Sequence, residues 1–407
     1  MVGAANAERG ARALEFGIYR DGDNNLDEVQ AQTLAQAATL SDHDGAIEFN
    51  VEDTTARRGF EPRGVLRTES YTLADGRLRD ARVSSPHDMS ARANLAAFVA
   101  GTLDAAERSN AKETWLDLVD HGGGDGGGLQ ADHGEGIMRA DDIAGAIADG
   151  VARHAANHPE DRQRAVDGVV ANQCLMSTLA FSSALSSAGV RYLAASPETM
   201  LAPGVPSTVA ADIAHHEDNP DGMAHALVGR VMRTEYDAGG AGTFGPAAAF
   251  DVIDLDPSKT AAVRGSVAAL DGEIAKDAAN RSVRAAIRED AKAIDGMVRF
   301  TKERMPWHAD RPALALYDTL ASDGRLPTRL RADAKDAKDA VAATVLAHGE
   351  SDGFAPFDGA NYSDAAGPTV HFPVTRGQID AWAPQIRETD NAFYDAVGAS
   401  KVTRALA

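Results

Sequence analysis

Along the first half of the chain, apolar and polar positions switch repeatedly between a period of two and a helical period. Residues 13–19, "ALEFGIY", alternate and carry aromatic and branched side chains, which predicts a strand. The Asp/Asn/Gly cluster "RDGDNN" then predicts a loop, with Asn24 or Asn25 capping a helix that runs to about Leu40. A second strand is predicted at 46–53, "AIEFNVED", and a polar hairpin or edge segment in "GVLRTESYTL" and "GRLRDARV". From about Ser90, "SARANLAAFVAGTLDAA" has apolar residues at helical spacing.

"TWLDLVDHGGGDGGG" (114–128) reads as a strand entering a glycine-rich loop, and "DDIAGAIADGVARHAA" as a helix. "AVDGVVANQC" is the next strand, "LMSTLAFSSALSSAG" the helix after it, and "VRYLAAS" (190–196) another strand. Strands that are continuously small and apolar, alternating with helices, predict an α/β fold whose mostly parallel sheet is sandwiched by helices. Beyond it lie two helices, a strand at 247–255, a mostly helical stretch to about His348 and a late strand in "PTVHFPV". The expected organisation is a core over 11–256 and a mostly helical C-terminal region over 257–407, returning the strand 368–374 and packed on the core.

Composition narrows the function. Lys plus Arg total 40 against 61 Asp plus Glu, a formal charge of −21. Such a surface repels phosphate backbones and anionic lipid, so neither nucleic acid nor membrane is expected as a partner. No apolar run reaches transmembrane length and the N-terminus has no signal-peptide pattern. The predicted location is therefore the cytoplasm, export by a non-classical route, or a chain whose leader has been removed. A single cysteine in 407 residues excludes an intramolecular disulfide framework and cysteine-cluster metal sites.

That cysteine, Cys174, follows a predicted parallel strand and precedes a helix. This places it at the carboxyl edge of the sheet, where ligands collect, beside a helix N-terminus that favours thiolate. A lone cysteine is otherwise commonly a small buried residue. His121 also follows a strand and is trailed by Gly122, Gly123 and Gly124. An imidazole and a thiol at two strand ends, with glycine N–H groups nearby, fit nucleophilic catalysis with an oxyanion site. "HGGG" also occurs in esterases, but no serine here has glycines at both −2 and +2. The acids and histidines at 120–135 lack zinc spacing, and the segment from Asp21 places Leu26 and Gln32 where a calcium loop needs glycine and glutamate. No metal ligand is assigned. Tyr19, Trp115, Phe181 and Phe372 are predicted to pack in the core, and His215 and His216 to lie at an exposed helix end.

Together, "GIYRDGDNNLDE", "WLDLVDHGGG", "ANQCLMSTLAFSSAL", "YLAASPETMLAPGVPS", "AFDVIDL", "ALALYDTLASD" and "GPTVHFPV" resemble, in order, the clostripain-like cysteine peptidases (family C11), of caspase–gingipain fold. The resemblance runs from about Leu14 to Val374. It implies a cysteine endopeptidase in which Cys174 is the nucleophile and His121 the proton-transfer partner. Gly122 and Cys174 would be the oxyanion donors, and Asn172, Ser196 and Glu198 would lie on the substrate side. The implied partner is a peptide or protein substrate, and the expected state is a monomer. No cofactor is required for the chemistry; the family's calcium dependence carries over without a ligand set. Relatives are often matured by cleavage between the histidine and cysteine strands, and here Arg139, Arg153 and Arg162 are candidate sites. The family usually has aspartate two residues before the nucleophile, in a pocket for Arg or Lys. Asn172 stands there instead, which predicts a weakened or altered preference for basic P1 residues. The same departure supports an alternative, a catalytically silent caspase-like scaffold that binds peptide or protein.

Overall fold

The computed structural model describes residues 11–55, 66–130, 137–160, 163–200, 203–216, 218–240, 248–294, 309–351, 366–374 and 392–406. Five parallel strands form its centre: β1 (Leu14–Gly22), β2 (Ile47–Thr55), β5 (Glu113–Val119), β8 (Gly168–Asn172) and β9 (Tyr192–Ala195). Antiparallel strands extend both sides. β3 (Arg67–Ala74) and β4 (Arg77–Ser84) add a hairpin to β2, while β10 (Ala249–Asp254) and β12 (Val345–Glu350) follow β9. The order of the nine strands is β12-β10-β9-β8-β5-β1-β2-β3-β4, and β6 (Gly128–Gln130) pairs with β7 (Ile137–Met138) in a small separate sheet. The fold is therefore the mostly parallel α/β sandwich expected.

The strands are apolar on both faces because both faces are covered. Leu116, Leu118, Val169 and Leu193 pack under α2 (Arg92–Ser109), α3 (Ala140–Asn157) and α4 (Leu179–Ser187), through Phe98, Ile143, Ile147 and Phe181. Phe16, Trp115, Val170 and Val252 face α1 (Asp27–His43), α5 (Val209–Ala214) and α6 (Pro220–Gly240), through Ala37, Ile213 and Leu227. Fully burying each such side chain contributes roughly 1.5–3 kcal/mol.

A further apolar cluster joins α4 to the C-terminal helices α7 (Pro257–Asp277), α8 (Arg281–Ala293), α9 (Ala313–Ser322) and α10 (Thr328–Ala342). The short helices α11 (Ala392–Val397) and α12 (Ala399–Leu406) belong to the same cluster. Tyr19, Trp115, Phe181 and Phe372 are buried, and His215 is the exposed C-cap of α5.

The sequence pattern misassigns two segments. β12 lies within the stretch read as mostly helical, at the sheet's outer antiparallel edge, where its half-buried residues lack a strong alternating signal. The late strand is only β13 (Thr369–His371). It pairs with β11 (Asp310–Pro312), a three-residue strand the pattern gave no sign of, in a separate two-stranded sheet. Strands that short carry too few residues to display a period.

Candidate active site

β5 and β8 are neighbours in parallel register, with Val119 opposite Asn172, so their carboxyl ends leave the sheet side by side. Asp120 and His121 follow one, and Gln173 and Cys174 the other. Gly122 lies against the backbone of Cys174. A Cβ on Gly122 would stand 2.9 Å from the Cys174 nitrogen and closer still to its carbonyl oxygen, so only glycine fits there. This contact brings the histidine segment onto the cysteine segment.

Cys174 is half-buried, and its Sγ accepts a 3.4 Å hydrogen bond from the Met200 N–H. The next residue, Leu175, has φ of +68°, a left-handed conformation that costs a non-glycine residue roughly 1–3 kcal/mol. Its N–H bonds the Glu198 carbonyl at 2.9 Å, and Ser177 N–H bonds the Ser196 carbonyl at 2.9 Å, which holds the strained turn in place. Helix α4 starts only at Leu179, capped by the Thr178 hydroxyl on the Phe181 N–H. Cys174 is therefore a full turn short of the helix, and the dipole argument loses most of its force, because that field fades within the first turn.

His121 bonds the Asn25 Oδ1 through Nε2 at 2.7 Å. An amide oxygen accepts, so Nε2 carries the ring proton and Nδ1 keeps the lone pair. Burial holds His121 below its ordinary pKa, favouring the neutral imidazole. Asn24 donates to Asp120 Oδ1 at 2.7 Å and accepts from the Leu26 N–H at 2.8 Å. The two asparagines therefore do not cap α1, whose N-cap is Leu26 with no side-chain bond. They reach across the strand ends and fix the histidine segment. Their loop is anchored by buried Arg20, which pairs with Asp53 at 2.8 Å and Asp27 at 3.0 Å.

Asp120 accepts a second bond from the Gln130 N–H at 2.5 Å. Burial, and then the neighbouring Asp21 charge, push its carboxyl well above the ordinary range. It organises the loop and is not an acid open to a ligand.

Asn172 is buried and uses both ends of its amide on one residue, donating to the Val205 carbonyl at 2.9 Å and accepting from its N–H at 2.8 Å. Gly204, at φ +82°, leaves space there that a side chain would fill with a clash against the Asn172 oxygen. A carboxylate at 172 could not donate to Val205. Two residues back on the neighbouring strand, on the same face, lies fully buried Asp117. Burial raises its pKa well above the ordinary value, opposed by the Asn172 amide. Ser196 and Glu198 are buried: Ser196 Oγ accepts from the Glu198 N–H at 3.0 Å and donates to its carbonyl at 2.9 Å. Their described bonds hold the turn that supports Leu175.

Behind the glycine loop lies a group of residues that sequence reasoning did not connect. The Tyr394 hydroxyl donates to Asp125, and His371 N–H donates to Tyr394 at 2.9 Å. His371 Nδ1 meets Asp310 Oδ1 at 2.6 Å. Burial, and then the Asp310 charge, push Asp125 up to about 7. Of the expected maturation sites, Arg139 is the N-cap of α3, Arg153 sits within that helix, and Arg162 lies outside the described residues.

No protein-family model matches the chain, and no curated protein matches it in sequence. Solved structures do match. A secreted C11 cysteine protease from Bacteroides thetaiotaomicron, in complex with an irreversible peptide inhibitor, superposes with a TM-score of 0.63 at 13% identity, over 95% of this chain and 99% of that one. "Iotapain", a secreted C11 cysteine protease of the same organism, gives 0.64 at 13% identity, over 96% and 100%. An inactive zymogen C11 protease from Parabacteroides distasonis gives 0.61 at 14% identity, over 96% and 99%. The chain has the fold of the clostripain-like C11 cysteine proteases.

Proposed function

We propose that this chain is a cysteine endopeptidase in which Cys174 attacks the scissile carbonyl and His121 transfers the proton. The observation that carries this reading is the seating of Gly122 on the Cys174 backbone, with His121 held beside it by Asn25. His121 Nδ1 takes the thiol proton as sulfur attacks, then returns it to the leaving amine; water hydrolyses the acyl-enzyme. Backbone N–H groups of Gly122 and Cys174 serve as the oxyanion donors. The strained Leu175 turn supports the reading, since strain of this kind clusters at functional sites. The substrate is a peptide or protein.

At P1 the reading favours an uncharged residue. The amide of Asn172 is engaged with Val205, and burial pushes the Asp117 carboxyl beneath it well above its ordinary pKa. At position 172 a guanidinium would meet a neutral amide in place of a carboxylate, which gives up the charge pair. Ranking kcat/KM over a P1-varied fluorogenic library tests this, and a strong Arg or Lys preference overturns it.

The alternative, a silent peptide-binding scaffold, draws on the same Asn172. Iodoacetamide separates the two. The peptidase reading expects Cys174 to be alkylated faster than a model thiol, and more slowly in His121→Ala. A scaffold leaves both rates at the model value.

A further inference from the structure

The C-terminal ends of α2 and α3 lead into β5 and β8, so they meet at the edge where the parallel strands begin, opposite Cys174. There two imidazoles and three carboxylates converge. His154 and His158, four residues apart, share one side of the α3 terminus, and their rings stack at 4.7 Å with 18° between planes. Asp104 and Glu107, three apart on α2, face them. Asp104 Oδ1 lies 2.6 Å from His154 Nδ1 and 3.2 Å from His158 Nε2. The other nitrogen of His158, Nδ1, lies 2.6 Å from Glu107 Oε2 and 3.9 Å from Glu160. His154 is fully buried, whereas His158 and Asp104 remain about one-third open to solvent.

We propose that Asp104, His154 and His158 bind a divalent transition-metal ion of the zinc type, with Glu107 orienting His158. The potential ligand atoms of these three residues lie within 4.8 Å of one another. Ligands at about 2.0–2.2 Å around a tetrahedral ion stand roughly 3.3 Å apart. Asp104 and His158 already have that spacing, and the 2.6 Å contact to His154 opens by about 0.7 Å when an ion replaces the shared proton. A carboxylate on the second nitrogen of a ligating histidine fixes its tautomer and raises its basicity, which is the position of Glu107. Electrostatics point the same way. With neutral imidazoles the group carries three negative charges, and two helix C-termini add partial negative charge. Two imidazoles with one carboxylate favour zinc over the hard, oxygen-seeking calcium and magnesium. Solvent on the open side supplies the fourth position.

The ion ties the helix preceding the His121 strand to the helix preceding the Cys174 strand. The inference does not depend on peptidase activity, and its test is made without it. Full-length Cys174→Ala, which removes the chain's single thiol as a competing zinc ligand, is stripped with a chelator and titrated with zinc chloride by calorimetry. The expected result is one equivalent bound, unaffected by millimolar calcium, with a rise in Tm. His158→Ala and Asp104→Asn change partly exposed positions; each lowers the affinity by roughly 100-fold or more, beyond what outer-sphere changes cause. Cobalt in the same titration gives the visible absorption of a four-coordinate site, lost in both variants, whose far-ultraviolet circular dichroism confirms folding. Absence of binding, or an equivalent retained unchanged in both variants, overturns the proposal.

Discussion

The two edges of the central sheet both bear histidines near strand ends, yet they hold them differently. At the carboxyl edge His121 faces the neutral amide of Asn25, among glycine backbone. At the amino edge His154 and His158 face Asp104, Glu107 and Glu160. A neutral partner steers the ring without favouring its charged form, so burial prevails and the imidazole of His121 is left neutral, ready to accept a proton. Carboxylate partners instead favour a cation, whether a proton or a metal ion. The partner, more than the imidazole, sets the chemistry.

The largest expected effect is at the carboxyl edge. On the proposed dyad, Cys174→Ala or His121→Ala should lower kcat/KM on a cleaved peptide by roughly 10⁴-fold or more, because a nucleophile and its base act as a unit. Steady-state assays against the wild type check this, and activity remaining in Cys174→Ala would remove the assigned nucleophile. Next, Asn25→Asp gives His121 the kind of partner found at the amino edge. A carboxylate stabilises imidazolium, so His121 stays protonated to higher pH. The acid limb of the kcat/KM profile, expected below the ordinary histidine pKa in the wild type because burial lowers that of His121, should move up by about one pH unit. An unmoved limb would show that Asn25 does not set this titration.

A smaller effect is expected behind the glycine loop. Asp125 sits at about 7, above its unfolded value, so between the two values the folded chain holds a proton that the unfolded chain has released. Its contribution to stability is present at low pH and lost as pH rises through about 7. Asp310, His371 and Tyr394 surround it, so the comparison that isolates it is wild type against Asp125→Asn. The Tm difference should shift in favour of the variant between pH 5 and pH 8 by roughly 2–4 °C. Parallel Tm–pH curves would contradict the assignment. Smallest of all, His158→Ala should leave metal-free kcat/KM within about twofold, because the amino edge contributes nothing to the reacting atoms. A large loss there would mean the two edges are coupled.

Much of this was legible in the chain before folding. The strand at 13–19 was legible from its alternating aromatic and branched residues, and those that became 113–119 and 168–172 from short, largely apolar stretches ended by polar residues and a loop. Cys174 and His121 were visible for the same reason: each directly follows such a run, and polar residues at strand ends are easy to find. Asn24 and Asn25 were misread as caps, since an asparagine before a helix looks alike whether it bonds the helix or a strand end 96 positions away. The cluster at 104–160 was missed altogether. Its members lie on α2, on α3 and in the turn just after α3, and the individual patterns there are those of ordinary solvated faces.

What the sequence by itself determined is the layered α/β sheet and the two strand ends that carry thiol and imidazole, because local periodicity and burial are written into consecutive residues. Tertiary structure alone decided the partners. It set Asn25 on His121, Val205 on Asn172, Tyr394 on Asp125 and Asp104 between two histidines. Each of these pairings depends on a distance between segments far apart in the chain, and side-chain chemistry follows that distance.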